Sequence, residues 1–331
     1  MSADADLLSF TLYVPVGYGS LERVKMPNVE ETQDPRKMFT AHFNGGLEVW
    51  RRAVIIPVFE DLEKIRRLTM FKFEDNKCYM MPAHFGGNDY QPHEDYYRDV
   101  LSISYTYSTD GDRLAEYIPE CLELIRPELN IGFCQSREID WMAGSCYNLI
   151  QAGVQVRFSG RRDRVEGEFP LVVWENKTTP ILTGREQTGV PKIYADIEDL
   201  HILQHKCFTN ASYEGNTFLR LEMTGVQPAD DQMMAQMKAV ETNNIGWRYI
   251  PKVGGPGADL SQPIFFPQRL EVKGAWTGSG TVRWTELTWE QSPMQSHIIK
   301  ALAELPVIEM SPVMMTKGVL VLIASRARVL E

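Results

Sequence analysis

Short runs rich in β-branched and aromatic residues, bounded by Gly, Pro, Asn and Ser, recur along the chain, a composition that suits the pleated, half-buried surface of a sheet. "VLSISYTYS" (100–108), "GVQVRFSG" (153–160), "FPLVVWEN" (169–176), "TFLRLEMTGV" (217–226) and "GVLVLIASRARVL" (318–330) all read as strands. Between them lie only short helical candidates: "DRLAEYIP" (112–119), the Met-rich "DDQMMAQMKAVET" (230–242) and "SHIIKALAEL" (296–305). Nearer the start, "LEVWRRAVIIPVFEDLEKIRRL" (47–68) places Val49, Ala53, Ile56, Leu62 and Ile65 at approximately helical spacing, with Pro57 expected to kink or split the element. The polar, turn-rich "ETQDPRKMFTAHFNGG" before it makes residues 1 to 45 an arm or extension. This pattern predicts a mainly antiparallel β core with a few surface helices. No fixed period or low-complexity linker divides the chain.

Composition narrows the function. With 331 residues, 44% hydrophobic and 24% charged, the chain can bury a sizeable core as one large or two ordinary domains. A formal net charge of -10 disfavours nucleic acid or an anionic membrane as partner, since both call for a basic surface. The start lacks a basic leader and an apolar core, and no long apolar run follows, so a cytoplasmic protein is expected. Five cysteines without a CxxC pair fit reduced thiols better than a disulfide framework or a zinc site.

Most candidate chemistry is weak. "HILQH" (201–205) has two histidines at helical ligand spacing, but its flanks are strand-like and it lacks the HExxH glutamate, so packed or solvated imidazoles are expected. "GGPGADLSQP" (254–263) lacks the lysine and hydroxyl of a phosphate loop and reads as a surface loop. "AGSCY" (143–147) is no nucleophile elbow, and Cys146 can act as a nucleophile only with a histidine near it in space. The methionines of "DDQMMAQM" read as core packing.

One lysine stands apart. In "GREQTGVPKIYADI" (184–197), Lys192 lies among Val190, Pro191 and Ile193. It is either an exposed or ion-paired side chain or a chemical tool. An amine held among apolar groups is partly neutral and attacks a carbonyl to form an imine, and the protonated imine accepts the electrons released when a neighbouring C–C or C–H bond breaks.

"GREQTGVPK" resembles the segment around the imine-forming lysine of acetoacetate decarboxylase, in which Gly-Arg-Glu leads through four residues to Pro-Lys. Further stretches are similar in order: "YSTDGDRLAEYIPECLEL" (107–124), "NIGWRYIPKV" (244–253), "GAWTGSGTVRW" (274–284) and "ALAELPVIEM" (301–310). The resemblance implies a closed, cone-like antiparallel β-barrel over residues 78–331, with residues 1–77 an N-terminal extension. It also implies assembly into homo-oligomers, no metal or organic cofactor, and a small-molecule oxo-acid substrate.

Carried over by position, Lys192 is the imine-forming residue. The second lysine that follows in the family is here Ile193, so desolvation has to tune Lys192 alone. Where the family has two glutamates on the preceding strands, this chain offers Gln135 and either Asn148 or Leu149; an amide holds a carbonyl but exchanges no proton. Arg98 corresponds to the family's arginine for a substrate carboxylate, or else forms a surface pair with Asp95 or Asp99. Glu186 is expected to orient the loop or the lysine, Thr188 to line the pocket and Tyr147 to donate a proton. These departures favour aldol or dehydration chemistry on an oxo acid over simple decarboxylation. A true β-keto-acid decarboxylase and a ligand-binding barrel without turnover are the alternatives.

Overall fold

The computed structural model describes residues 11–17, 20–25, 71–89, 93–237 and 240–331. The helix read over residues 47–68 lies outside them. The chain forms two compact units, Met1–Asn88 and Asp89–Glu331. In the first, Thr11–Gly17 and Ser20–Lys25 pair as an antiparallel hairpin, with Thr11 opposite Lys25. Phe71, Phe73 and Tyr79 make edge-to-face contacts there, with centroids 4.9 to 6.0 Å apart.

The second unit is built on a fifteen-stranded sheet, in which four short strands flank eleven that carry the frame: β1 Asp95–Ser108, β2 Glu128–Ile139, β3 Ser145–Ser159, β4 Arg164–Glu175, β5 Lys192–Tyr194, β6 Asp196–Ile197, β7 Lys206–Tyr213, β8 Asn216–Pro228, β9 Val240–Pro251, β10 Ala258–Trp284 and β11 Val313–Leu322. Adjacent strands run in the order β5-β4-β3-β2-β1-β11-β10-β8-β7-β6. The long β10 gives the first half of one edge to β9 and the second half to β8, while β11 takes its other edge. Since β9 also meets β4, at Asn244 opposite Glu168, the sheet closes on itself. Closure removes free edges from the ring and leaves an interior for side chains or a ligand.

Period-two alternation assigns opposite jobs to neighbouring residues. On β4, Val172 and Trp174 join the main core, while Val173 and Glu175 line a cavity. On β3, Ile150 and Ala152 face that core, while Leu149 and Gln151 line the cavity. A second apolar cluster of Tyr97, Val100, Cys134, Ile139 and Tyr147 borders the same cavity through its two tyrosines.

The strand readings at 100–108, 153–160, 169–176 and 217–226 coincide to within a residue with parts of β1, β3, β4 and β8, and short helices form at Gly111–Ala115, Asp231–Met237 and Ser296–Ala303. The reading at 318–330 runs too far: β11 ends at Leu322, and a 3-10 turn at Ala324–Arg326 separates it from the short strand Arg328–Val329. Two further readings need correction. The Met-rich helix buries none of its residues, because it lies at the surface between β8 and β9. "GGPGADLSQP" is loop only at its start; from Ala258 onward it forms the first part of β10, paired residue by residue with β9. His201 belongs to the strand His201–Leu203 and stacks on Phe208 with centroids 4.7 Å apart, the packed role expected of it. All five cysteines are free thiols.

Candidate active site

Lys192 begins β5, where backbone bonds fix its position. Its N–H donates to the Val190 carbonyl at 2.7 Å across Pro191, a three-residue turn for which proline's restricted φ is suited. The Pro191 carbonyl accepts from Val173 N at 3.0 Å, which seats Lys192 in parallel register beside β4. The side chain therefore lies close to Glu175, at the end of β4.

Lys192 Nζ is 2.8 Å from Glu175 Oε1 and donates to the Pro180 carbonyl at 3.0 Å. The lysine side chain is 14% exposed and the glutamate 0%, so water screens this pair little. Burial pushes the Glu175 carboxyl above the usual range, and the Lys192 charge opposes that rise. Its Oε2 has no hydrogen-bond partner among the described residues. A buried acceptor left open in this way costs free energy until a donor arrives.

The loop before the lysine is shaped by backbone contact. Gly184–Thr188 forms one π-helical turn, a feature found frequently at functional sites. A Cβ on Gly184 would lie 2.5 Å from Lys192 Cε and 2.8 Å from its Nζ, so only glycine lets the lysine cross there. Gly189, at φ +65°, packs within 2.3 Å of Arg248 N as measured from its would-be Cβ. Gly184→Ala is expected to keep the fold and displace the amine by about an ångström, a misplacement on the scale that costs about 10²-fold in rate. The check is the rate of imine trapping beside an unchanged circular dichroism spectrum.

The lysine opens into a cavity of about 320 Å³. Trp141, Leu149, Phe266, Leu320 and Leu322 supply apolar wall, and Gln151, Thr188, Asn244 and Gln268 supply polar groups. Tyr97 and Tyr147 also line it, buried at 3% and 4% exposure, with the Tyr147 hydroxyl donating to the Tyr97 hydroxyl at 3.4 Å. Burial raises the pKa of both phenols. His93 and Asp95 line it too; His93 Nε2 lies 3.4 Å from Asp95 Oδ1, and burial raises the Asp95 carboxyl against the pull of His93.

Of the residues singled out in the sequence, Lys192, Tyr147 and Thr188 meet at this cavity; the Thr188 hydroxyl donates to the Gly184 carbonyl at 3.0 Å. Glu186 is half-buried in the π turn and is not among the lining residues. Arg98 lies on the face of β1 opposite Tyr97, half exposed, where its guanidinium holds Asp140 with two hydrogen bonds, the Nε one at 2.7 Å. Its partner is thus neither Asp95 nor Asp99. Gln135 alternates with the cavity-lining Ser136 and accepts from Leu200 N at 2.9 Å, bracing a loop. Asn148 likewise turns away, donating to the Ile197 carbonyl at 3.1 Å and to Asp199 at 2.8 Å, so Leu149 is the wall residue.

Glu175 escaped the sequence reading, and with it the expectation that desolvation tunes Lys192 alone is corrected: a carboxylate sits against the amine. The available signal was a lone acid closing the apolar run "FPLVVW". Gln151, Asn244, His93 and Asp95 carried no signal in sequence, because strands from distant parts of the chain bring them together.

Residues 80–320 match the family model described as acetoacetate decarboxylase (ADC). An acetoacetate decarboxylase of Burkholderia ambifaria is 27% identical over 234 residues, covering 71% of this chain and 87% of the relative. Among solved structures, acetoacetate decarboxylase from Legionella pneumophila superposes with a TM-score of 0.60 at 20% identity, over 74% of this chain and 92% of the other. An acetoacetate decarboxylase-like enzyme from Sphingomonas wittichii RW1 gives 0.57 at 18%, over 77% and 98%. The enduracididine biosynthesis enzyme MppR, complexed with pyruvate, gives 0.56 at 14%, over 76% and 95%. A closed β sheet carrying a largely buried lysine after Gly-Arg-Glu, with the family match running through nearly all of the second unit, places the chain in the acetoacetate decarboxylase family.

Proposed function

We propose that the protein is a lyase that forms a Schiff base between Lys192 and the carbonyl of an oxo acid or β-keto acid. The observation that carries this reading is the buried Lys192–Glu175 pair, 2.8 Å apart, facing a cavity of about 320 Å³. Glu175 takes one ammonium proton and frees the amine to attack. The C–N bond forms as the carbonyl π pair moves to oxygen, giving a carbinolamine once the protons have redistributed. The Glu175 carboxyl then returns its proton to the departing hydroxyl, so that water leaves, the C=N bond forms and the iminium is paired with the Glu175 carboxylate. Charge and protons balance across the sequence, and the raised carboxyl pKa brings Glu175 closer to neutral operating pH, where proton exchange is efficient.

The iminium is the electron sink for whichever bond breaks next. The lining offers phenols, amides and the hydroxyl residues Ser136, Thr183 and Thr188, a set suited to holding hydroxyl and carbonyl oxygens during aldol or dehydration steps. Relatives named as acetoacetate decarboxylases and the pyruvate-bound MppR mark the two ends of the chemistry in view. The test is a pair of assays on one preparation: carbon dioxide released from acetoacetate, and condensation or dehydration products from pyruvate mixed with aldehydes. Turnover of either kind that Lys192→Ala abolishes supports the reading. Turnover that survives in that variant contradicts it, as does ligand binding without turnover across the panel.

The pH dependence follows from Glu175. Attack requires the carboxylate to be ionised, so the rate of imine formation rises with pH through a midpoint above the usual carboxylate range. A single-turnover trapping profile from pH 4 to 8 checks it, and a Glu175→Gln variant is expected to lose that limb.

A further inference from the structure

Tyr97 and Tyr147 both line the lysine cavity, and their geometry ranks them. The Tyr147 hydroxyl spends its proton on the Tyr97 oxygen, 3.4 Å away. Tyr97 is the acceptor of that bond, so its own O–H remains to be directed elsewhere, and the residue borders the cavity that holds Lys192. We propose that Tyr97 is the group that protonates the substrate oxygen when Lys192 attacks the carbonyl, with Tyr147 behind it as a positioning residue. The inference rests on the imine reading above.

The step balances. Attack by the neutral amine makes the C–N bond and leaves an alkoxide beside a doubly protonated, cationic nitrogen. Tyr97 gives its phenolic proton to the alkoxide, and Tyr147 stabilises the resulting phenolate by its hydrogen bond. The phenolate then takes a proton from the cationic nitrogen, which restores Tyr97 and leaves a neutral carbinolamine for Glu175 to dehydrate. The hydrogen bond from Tyr147 eases ionisation of Tyr97, whereas donating that bond makes ionisation of Tyr147 harder. Both phenols line the same cavity as Glu175 and Lys192. A phenol kept neutral by burial is a donor throughout the neutral range.

The experiment is cyanoborohydride trapping with acetoacetate and pyruvate, followed as the rate of adduct appearance at Lys192. Tyr97→Phe is expected to trap about 10²-fold more slowly, the lower end of a general acid's contribution, and Tyr147→Phe to trap less than about 10-fold more slowly. Because a phenylalanine can disturb packing, trifluorotyrosine placed at position 97 serves as the shape-preserving variant. Its more acidic phenol moves the alkaline limb of the trapping profile to lower pH. The other titratable groups on that cavity and cluster, His93, Asp95, Cys134, Tyr147, Glu175 and Lys192, are unchanged by the substitution. An unshifted limb, a Tyr97→Phe rate equal to wild type, or a larger loss in Tyr147→Phe than in Tyr97→Phe overturns the assignment of Tyr97. Absence of any adduct in the wild-type protein overturns the imine reading itself.

Discussion

Lys192→Ala is expected to lower turnover by on the order of 10⁴- to 10⁶-fold, the scale on which removal of a covalent nucleophile acts. No other lysine or arginine lines the cavity among the described residues, so no second amine stands ready to take its place. On the proposed Schiff-base reading the loss belongs in kcat as well as kcat/KM, because an imine supplies the electron sink and not merely a contact. Steady-state assays on the substrate that wild type turns over give the measurement. A residual rate within 10-fold of wild type would remove Lys192 from the chemistry.

The same substitution carries the second large effect, on stability. Breaking a buried ion pair by removing one partner typically costs about 3–5 kcal/mol, because the remaining charge has no compensation. Glu175, with 0% exposure, is the charge left behind. In the wild-type protein burial raises its pKa and Lys192 restrains the rise; without Lys192 the folded-state pKa climbs further. The unfolded chain releases that proton at the ordinary carboxylate value. Between those two values the folded state binds more protons than the unfolded state, so the variant loses stability as pH rises. The deficit relative to wild type is therefore smallest in the acid range, where Glu175 is neutral, and reaches its full size above the raised pKa. Denaturant melts at pH 5 and pH 8 measure both. Lys192→Ala with Glu175→Gln is expected to recover most of the difference at pH 8, because no buried charge is left unpaired.

The strand pattern was legible because β-branched and aromatic runs are local: β1, β3, β4 and β8 hold nearly all of the runs that announced them, while the run at 318–330 marks only the end of β11 and overshoots it into a turn and a separate short strand. Lys192 was legible for the same reason, since Val190, Pro191 and the Gly-Arg-Glu turn lie within nine residues of chain. Pocket membership was not legible. Whether Gln135 or Ser136, Asn148 or Leu149, Arg98 or Tyr97 turns inward depends on strand phase, and a shift of one residue exchanges the two faces. In each of those pairs the second residue lines the cavity, while the first is spent on a loop brace, an Asp199 contact or the Asp140 ion pair. Glu175 was hidden differently. Its partner lies 17 positions later, across the helix Thr178–Thr183 and the π turn, and only the parallel pairing of β4 with β5 brings amine and carboxylate together.

The most direct test of the central claim is the site of a reduced adduct. Wild-type protein incubated with acetoacetate or pyruvate and cyanoborohydride, then digested and mapped by mass spectrometry, should carry one reduced adduct, on the peptide containing Lys192, and the Lys192→Ala protein should carry none there or elsewhere above the buffer control. An adduct on a different lysine, or none with any oxo acid that the wild-type protein turns over, would contradict a Schiff base at Lys192.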